Sequence, residues 1–252
     1  MSGAGPLRAL RAVGRLAFVV LHVFVGLGII GLRFPWLSQP ERDARVQRWA
    51  ARLLQHFGIE LVVRGQPPAG GPVLLVANHI SWLDIVVMHA ARHCRFVSKA
   101  SVRHWPVVGT LATAAGTLYI ERESRRDAMR VVHHMAERLQ AGDVLAVFPE
   151  GTTGDGRTML PFHANLFQAA ISAEAPVLPV GLRFIDGPSG ATSFAPSFVG
   201  DETLLGSLWR TACAQHLKAV VHYGPAHGVD GHDRRALAQA AQAEVERLRS
   251  TT

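Results

Sequence analysis

Asn78-His79-Ile80-Ser81-Trp82-Leu83-Asp84 follows directly on the apolar run Pro72–Ala77. That run is rich in Val and Leu and is entered through Gly70-Gly71, which is the pattern of a buried strand. Ser81 stands where a helix N-cap belongs, ahead of Trp82, Leu83, Ile85, Val86 and Val87. His79 is therefore expected in a strand-to-helix turn, at the carboxyl end of a strand, where open α/β sheets place their ligands. Asp84 falls in the first helical turn and can lean back toward the same turn. A carboxylate that holds an imidazole fixes its tautomer and stabilises the imidazolium, which makes a general base. Ser81-x-x-Asp84 also reads as a capping box, in which His79 would have no chemistry. Seven residues alone leave both readings open.

Outward from this stretch the chain alternates. Strands are expected at Ile59–Arg64, Val73–Ala77, Arg95–Ser98, Thr117–Glu121, Val144–Phe148, Val177–Phe184 and Lys218–Tyr223. Helices are expected at Ser81–Arg92, Pro106–Ala115, Arg125–Gln140, Ala164–Glu174 and His232–Arg249. In the third of these Ala128, Val131, Val132, Met135 and Leu139 form one apolar stripe, leaving His133 and His134 to solvent. Alternation of this kind predicts an α/β fold, a mostly parallel mixed sheet covered by helices. The length of 252 residues is enough to bury a substantial core, with Asp186–Pro196 a loop rather than a linker.

The first 57 residues read differently. Leu16–Leu32 is apolar, bounded by Arg15 and Arg33, and is followed by the basic amphipathic stretch Glu41–Phe57. Seventeen residues are at the short edge for a span, and the bulky Phe34-Pro35-Trp36 makes a poor cleavage site for a signal peptide. The chain divides on this reading into residues 1–57, a membrane-associated helical pair, and 58–252, the α/β domain. The pair spans or lies in the interface, or else Leu16–Leu32 is a core helix. Flanking arginines favour a cytoplasmic N-terminus, and with it the cytoplasmic face of the inner membrane.

A formal charge of +7 favours acidic partners. Lys99 and Lys218 are the lysines, so arginine, the better bidentate phosphate binder, carries nearly all the positive charge. No aromatic-interleaved basic stretch marks a nucleic-acid binder. Cys94 and Cys213 are far apart and speak against a disulfide framework. His89 and His93 are four apart, yet no glutamate follows His89 as a zinc-protease motif requires and no third ligand accompanies them, so no metal is expected.

Three further segments join the heptapeptide. Gly116-Thr117-Leu118-Tyr119-Ile120-Glu121-Arg122 ends a strand on arginine, Phe148-Pro149-Glu150-Gly151-Thr152 ends another, and Ala175-Pro176-Val177-Leu178-Pro179-Val180 starts a third. In order and spacing these four resemble the blocks of the glycerolipid acyltransferase family, in particular bacterial 1-acyl-glycerol-3-phosphate acyltransferases, from about Gly65 to about Val180.

The resemblance implies transfer of a fatty acyl group from a thioester to a lipid hydroxyl. His79 would take the hydroxyl proton and Asp84 would orient it, with no serine or cysteine nucleophile; accordingly the chain has no Gly-x-Ser-x-Gly elbow. Arg122 would hold the acceptor's anionic head group, with Glu150, Gly151 and Thr152 lining its site and Lys99, Arg103 and Arg157 as candidate phosphate contacts. No cofactor is implied; acyl-CoA or acyl carrier protein enters as co-substrate, and the bilayer and a lysophospholipid are the partners. The expected acceptor is 1-acyl-glycerol-3-phosphate, giving phosphatidate. Two departures from the family weaken that choice. Thr153 stands where many phosphatidate-forming members have arginine, and His163 where a lysine is common. Arg157 is the expected substitute for them. The alternative acceptor is a lyso-ornithine lipid, and the alternative of another class is a membrane-surface protein without catalysis.

Overall fold

The structure, a computed structural model, describes residues 5–120 and 125–251. It opens on α1 (Pro6–Leu32) and α2 (Gln39–Phe57), followed by β1 (Glu60–Arg64) and β2 (Val73–Ala77). Next come α3 (Leu83–Ala91), β3 (Arg95–Lys99), α4 (Val108–Ala114), β4 (Leu118–Ile120), α5 (Arg125–Gln140) and β5 (Val144–Val147). The chain closes with α6 (Phe167–Ser172), β6 (Val177–Asp186), α7 (Leu204–Cys213), β7 (Leu217–Tyr223) and α8 (Arg234–Ser250).

The strands form one sheet in the order β1-β7-β6-β2-β5-β3-β4. Among the described strands β6 and β7 pair antiparallel and the other strand pairs are parallel, as the alternating pattern predicts. β2 is the middle strand and all five of its residues are buried, which is why its sequence is continuously apolar rather than alternating. Its period of two divides the core. Val73, Leu75 and Ala77 face a layer built with α1, α2, α3 and α7. Leu74 and Val76 face the layer of α5, α6 and α8. Val131, Met135 and Leu139 of α5 are buried there while His133 and His134 are exposed, as their stripe requires.

The N-terminal helices need correction. α1 begins at Pro6, so it is 27 residues long, and it alone among the described helices is long and apolar enough to cross a membrane. Phe18, Leu21 and Phe24 on it are about 60% exposed. α2 is different, because Ala50, Leu53, Leu54 and Phe57 are buried in the same layer as the sheet residues. Its apolar face is covered by protein, and it starts on a capping box in which Glu41 accepts from both Ser38 groups at 2.9 and 2.6 Å. The two helices lock through His22 and Trp49: the indole N–H donates to the His22 carbonyl at 3.2 Å, and the imidazole Nε2 lies 3.0 Å from the Trp49 carbonyl. Glycine at 26 makes room, since a Cβ there would fall 2.6 Å from the indole nitrogen.

Helix α7 was not expected. Its polar Ser207 and Thr211 are fully buried, and Ser207 Oγ accepts from the Trp82 indole at 3.1 Å.

Candidate active site

Register brings two loops side by side. β2 and β5 run parallel with Val76 opposite Val147, so the turn after Ala77 and the turn after Val147 leave the same end of the sheet. Asn78, buried, stands where β2 ends and finishes the pairing with its side chain: its amide donates to the Leu182 carbonyl at 3.0 Å and its oxygen accepts from the Leu182 N–H at 2.8 Å. Nothing in the heptapeptide assigned Asn78 this task. A short two-sided amide at the end of a strand is the signal that could have found it.

His79 Nδ1 lies 2.8 Å from Asp84 Oδ2. The same oxygen accepts from the backbone N–H groups of Ile80 at 2.6 Å and Ser81 at 2.8 Å. Ser81 Oγ in turn accepts from the Leu83 N–H at 3.1 Å. One atom of the fully buried Asp84 therefore serves both the turn ahead of α3 and the orientation of the imidazole. Asp84 Oδ1 is buried without a partner. With Nδ1 held by the carboxylate, Nε2 is the nitrogen left for a substrate, and the His79 side chain is 17% exposed. Its ring lies flat on Phe148, centroids 3.9 Å apart and planes 6° apart. Phe148 itself stacks on Phe96, whose ring meets His89 edge-on. This platform was not foreseen beyond Phe148 ending an apolar run.

Glu150 lies 5% exposed beneath the turn. Its Oε1 accepts from the His79 N–H at 2.7 Å and its Oε2 from the Leu160 N–H at 2.7 Å. The His79 carbonyl accepts from the Gly154 N–H at 2.8 Å, so both backbone groups of His79 are tied to the 150–160 loop. Burial pushes the Glu150 carboxyl above its ordinary pKa, against the two backbone hydrogen bonds. Both Glu150 oxygens are occupied by backbone donors, so the residue expected to line the acceptor site also braces two loops.

Gly151 and Thr152 are exposed at the site's rim. Gly151 has φ 75°, a left-handed conformation that favours glycine, and a Cβ there would lie 3.2 Å from the His163 ring. His163 thus borders the rim. The Arg157 guanidinium lies over the Phe194 ring, 4.8 Å from its centroid. Lys99 is exposed at the end of β3, at the same end of the sheet as the His79 turn. Arg122 and its neighbour Glu121 lie outside the described residues. His89 and His93 are buried, His93 Nε2 being 3.2 Å from the Ala115 carbonyl, and burial lowers the His89 pKa to about 3.

A turn that offers one imidazole nitrogen, backed by a buried carboxylate and seated on an aromatic face, can accept a proton from a hydroxyl and return it. A family model described as Acyltransferase matches residues 58–183, which contain all of this site. The chain belongs to the acyltransferase family. Among its members it is similar to the lyso-ornithine lipid O-acyltransferase of Pseudomonas aeruginosa, 35% identical over 246 residues, with 94% of this chain and 92% of that protein covered. It is also similar to the 1-acyl-sn-glycerol-3-phosphate acyltransferase of Neisseria gonorrhoeae, 40% identical over 182 residues, 72% and 70% covered. The fold is that of the crystal structure of the 1-acyl-sn-glycerophosphate acyltransferase of Thermotoga maritima, with TM-score 0.70, 18% identity, and 95% and 94% of the two chains covered.

Proposed function

We propose that this acyltransferase moves a fatty acyl group from an acyl thioester, on CoA or acyl carrier protein, to the free hydroxyl of a membrane lysolipid, and that this acceptor is a lyso-ornithine lipid. The carrying observation is the His79–Asp84 pair, with Nδ1 held at 2.8 Å, which leaves Nε2 for a substrate. His79 Nε2 takes the hydroxyl proton as that oxygen attacks the thioester carbonyl. Collapse of the tetrahedral adduct breaks the carbon–sulfur bond, and the leaving thiolate takes the proton back from the imidazolium. Asp84 holds the ring and offsets its transient charge. A base of this kind contributes on the order of 10² to 10⁴ in rate.

The acceptor follows from charge. Thr153 and His163 replace fixed cations at the rim, and the expected substitute, Arg157, is engaged with Phe194. Among the described rim residues a phosphate would find little to hold it, whereas a head group carrying its own ammonium is not penalised. The near full-length similarity to the Pseudomonas aeruginosa protein supports the same choice. Lysophosphatidate is the second reading, favoured by the 40% identity to the Neisseria gonorrhoeae protein and by the block that ends on Arg122. Membrane attachment through α1 completes the reading, supported by its exposed apolar side.

Thiol release by the purified protein, measured with lyso-ornithine lipid and lysophosphatidate side by side and one donor, tests this. The expected result is acceptor-dependent release, higher with the aminolipid and absent in folded His79→Ala. Release that His79→Ala leaves intact would remove the base; a preference for lysophosphatidate would leave the chemistry and change the acceptor.

A further inference from the structure

A cavity of about 460 Å³ opens between the first turns of α1, the C-terminal end of α7 and the starts of β1 and β7. It shares no lining residue with the His79 turn or the 150–160 loop. Arg8, Arg11, Arg15 and Lys218 line it, with Glu60 as the carboxylate among them. Two of these cations are fixed. Arg15 Nη1 donates to the carbonyls of Ala212 and Ala214 at 2.8 and 2.6 Å, closing the end of α7. Its guanidinium fills the space left by Gly58, where a Cβ would collide with it. Lys218 Nζ pairs with Glu60 at 3.0 Å. Arg8 and Arg11 are exposed, and among the described residues neither guanidinium has a hydrogen-bond or ion-pair partner.

Arg8, Arg11 and Arg15 recur at three and four residues, hence on one face of α1. Beside that face Leu7, Leu10 and Val13 are 72%, 70% and 55% exposed, and the apolar surface continues through Phe18, Leu21 and Phe24. Free guanidinium groups bind phosphate oxygens bidentately, and an exposed apolar face beside them suits acyl chains. A soluble phosphate compound would use the first feature and not the second.

We propose that this cavity binds the phosphate of one anionic phospholipid whose acyl chains lie along the apolar side of α1. The proposal rests on the reading that α1 lies in the bilayer, and adds a lipid site distinct from the acceptor site.

Native mass spectrometry of the full chain in detergent, titrated with phosphatidylglycerol or phosphatidylcholine, tests it. One phosphatidylglycerol should be retained roughly thirtyfold more tightly than phosphatidylcholine, since each cation beside an anionic lipid adds about a factor of five. Arg8→Gln with Arg11→Gln should abolish that preference, and neither side chain is needed for folding. Arg45→Gln with Arg48→Gln, on α2 and outside the cavity, should leave it. Equal retention by the Arg8/Arg11 variant would overturn the proposal. So would displacement of the lipid by inorganic phosphate, glycerol 3-phosphate or CoA, which would assign the cavity to a soluble phosphate. Flotation of the unaltered protein on phosphatidylcholine vesicles reads the anchor separately: no flotation with lipid retention intact sinks only the anchor, and flotation without the preference sinks only this site.

Discussion

The carboxylate of Glu150 accepts a hydrogen bond from the backbone N–H of His79 at 2.7 Å, across 71 residues of chain. The turn that presents the imidazole is thus held from below by a residue of another loop, and the imidazole's aim depends on both Asp84 and Glu150.

Glu150→Ala should lower stability by about 1–3 kcal/mol, because the part-buried His79 and Leu160 N–H groups lose a charged acceptor and regain only water. Glu150→Gln keeps one acceptor oxygen and should cost less. The two also differ in pH dependence. A carboxyl raised in the folded state binds protons more tightly there than in the unfolded chain. Its contribution is present below the ordinary carboxyl pKa and is lost as pH rises through the raised one. Urea unfolding from pH 4 to 7 checks this: the stability of the wild-type protein relative to Glu150→Gln should decline across that window. Parallel profiles would mean that Glu150 does not titrate differently on folding.

Asp84→Asn should fold and lose activity by on the order of 10²-fold. The side-chain oxygen can still accept from Ile80, Ser81 and His79, while the new NH₂ replaces Oδ1, which has no partner in the native protein. What is lost is the charge that stabilises the imidazolium. The deciding measurement is kcat in the variant beside its thermal midpoint. A fall in the midpoint that accounts for the whole loss would make Asp84 a cap and nothing more.

Much of this site was legible because its parts are local. The strand, the turn, His79 and Asp84 lie within thirteen residues, and their spacing alone dictates which groups can meet. The tasks of Asn78 and Glu150 were not legible, because their partners are backbone groups 104 and 71 residues away, and side-chain pattern carries no record of such pairing. Helix α7 was illegible for a related reason. Leu204, Leu205, Leu208, Trp209 and Ala212 do recur at helical spacing, but Gly206, Ser207 and Thr211 interrupt them, and only the tertiary contact with Trp82 explains a buried serine there. For α2 the amphipathic pattern was right and its covering was not, since an apolar stripe looks the same whether lipid or protein lies on it.

His89 should make the protein acid-labile. Burial lowers its pKa from 6.5 to about 3, so below pH 6.5 the unfolded chain takes up a proton that the folded one refuses. Stability from this group is complete above that value and falls by about 1.4 kcal/mol per pH unit toward pH 3. His89→Leu, similar in volume, should flatten the slope over that window in denaturant titrations. An unchanged slope would place the acid sensitivity elsewhere.

Removing residues 1–57 is a poor test of anchoring, because Leu53, Leu54 and Phe57 belong to the core and Arg15 closes the end of α7. Replacing exposed Phe18, Leu21 and Phe24 by serine leaves those contacts untouched. The triple variant should stay folded yet lose flotation with liposomes, since each buried apolar side chain adds about 1.5–3 kcal/mol. Its turnover should fall on bilayer substrate and persist on short-chain, water-soluble substrate. Unchanged flotation would assign the membrane surface to another face of the molecule.

The acceptor can be shifted by charge at the rim. Thr153 follows the Glu150-Gly151-Thr152 turn, and the His163 ring lies beside Gly151, so both positions border the turn that Glu150 ties to His79. Thr153→Arg with His163→Lys restores two fixed cations where a phosphate would sit. One charge-assisted contact is worth about 1.5–3 kcal/mol, so each cation that engages the phosphate should favour lysophosphatidate by about one to two orders of magnitude. Lyso-ornithine lipid should lose ground at the same time, because its ammonium would then face like charge. The measurement is the ratio of kcat/KM for the two acceptors with one donor, in the wild type and the double variant. If the ratio does not move, charge at 153 and 163 does not choose the acceptor. Selection would then fall to the Arg122 segment, and Arg122→Gln should collapse activity on both lipids.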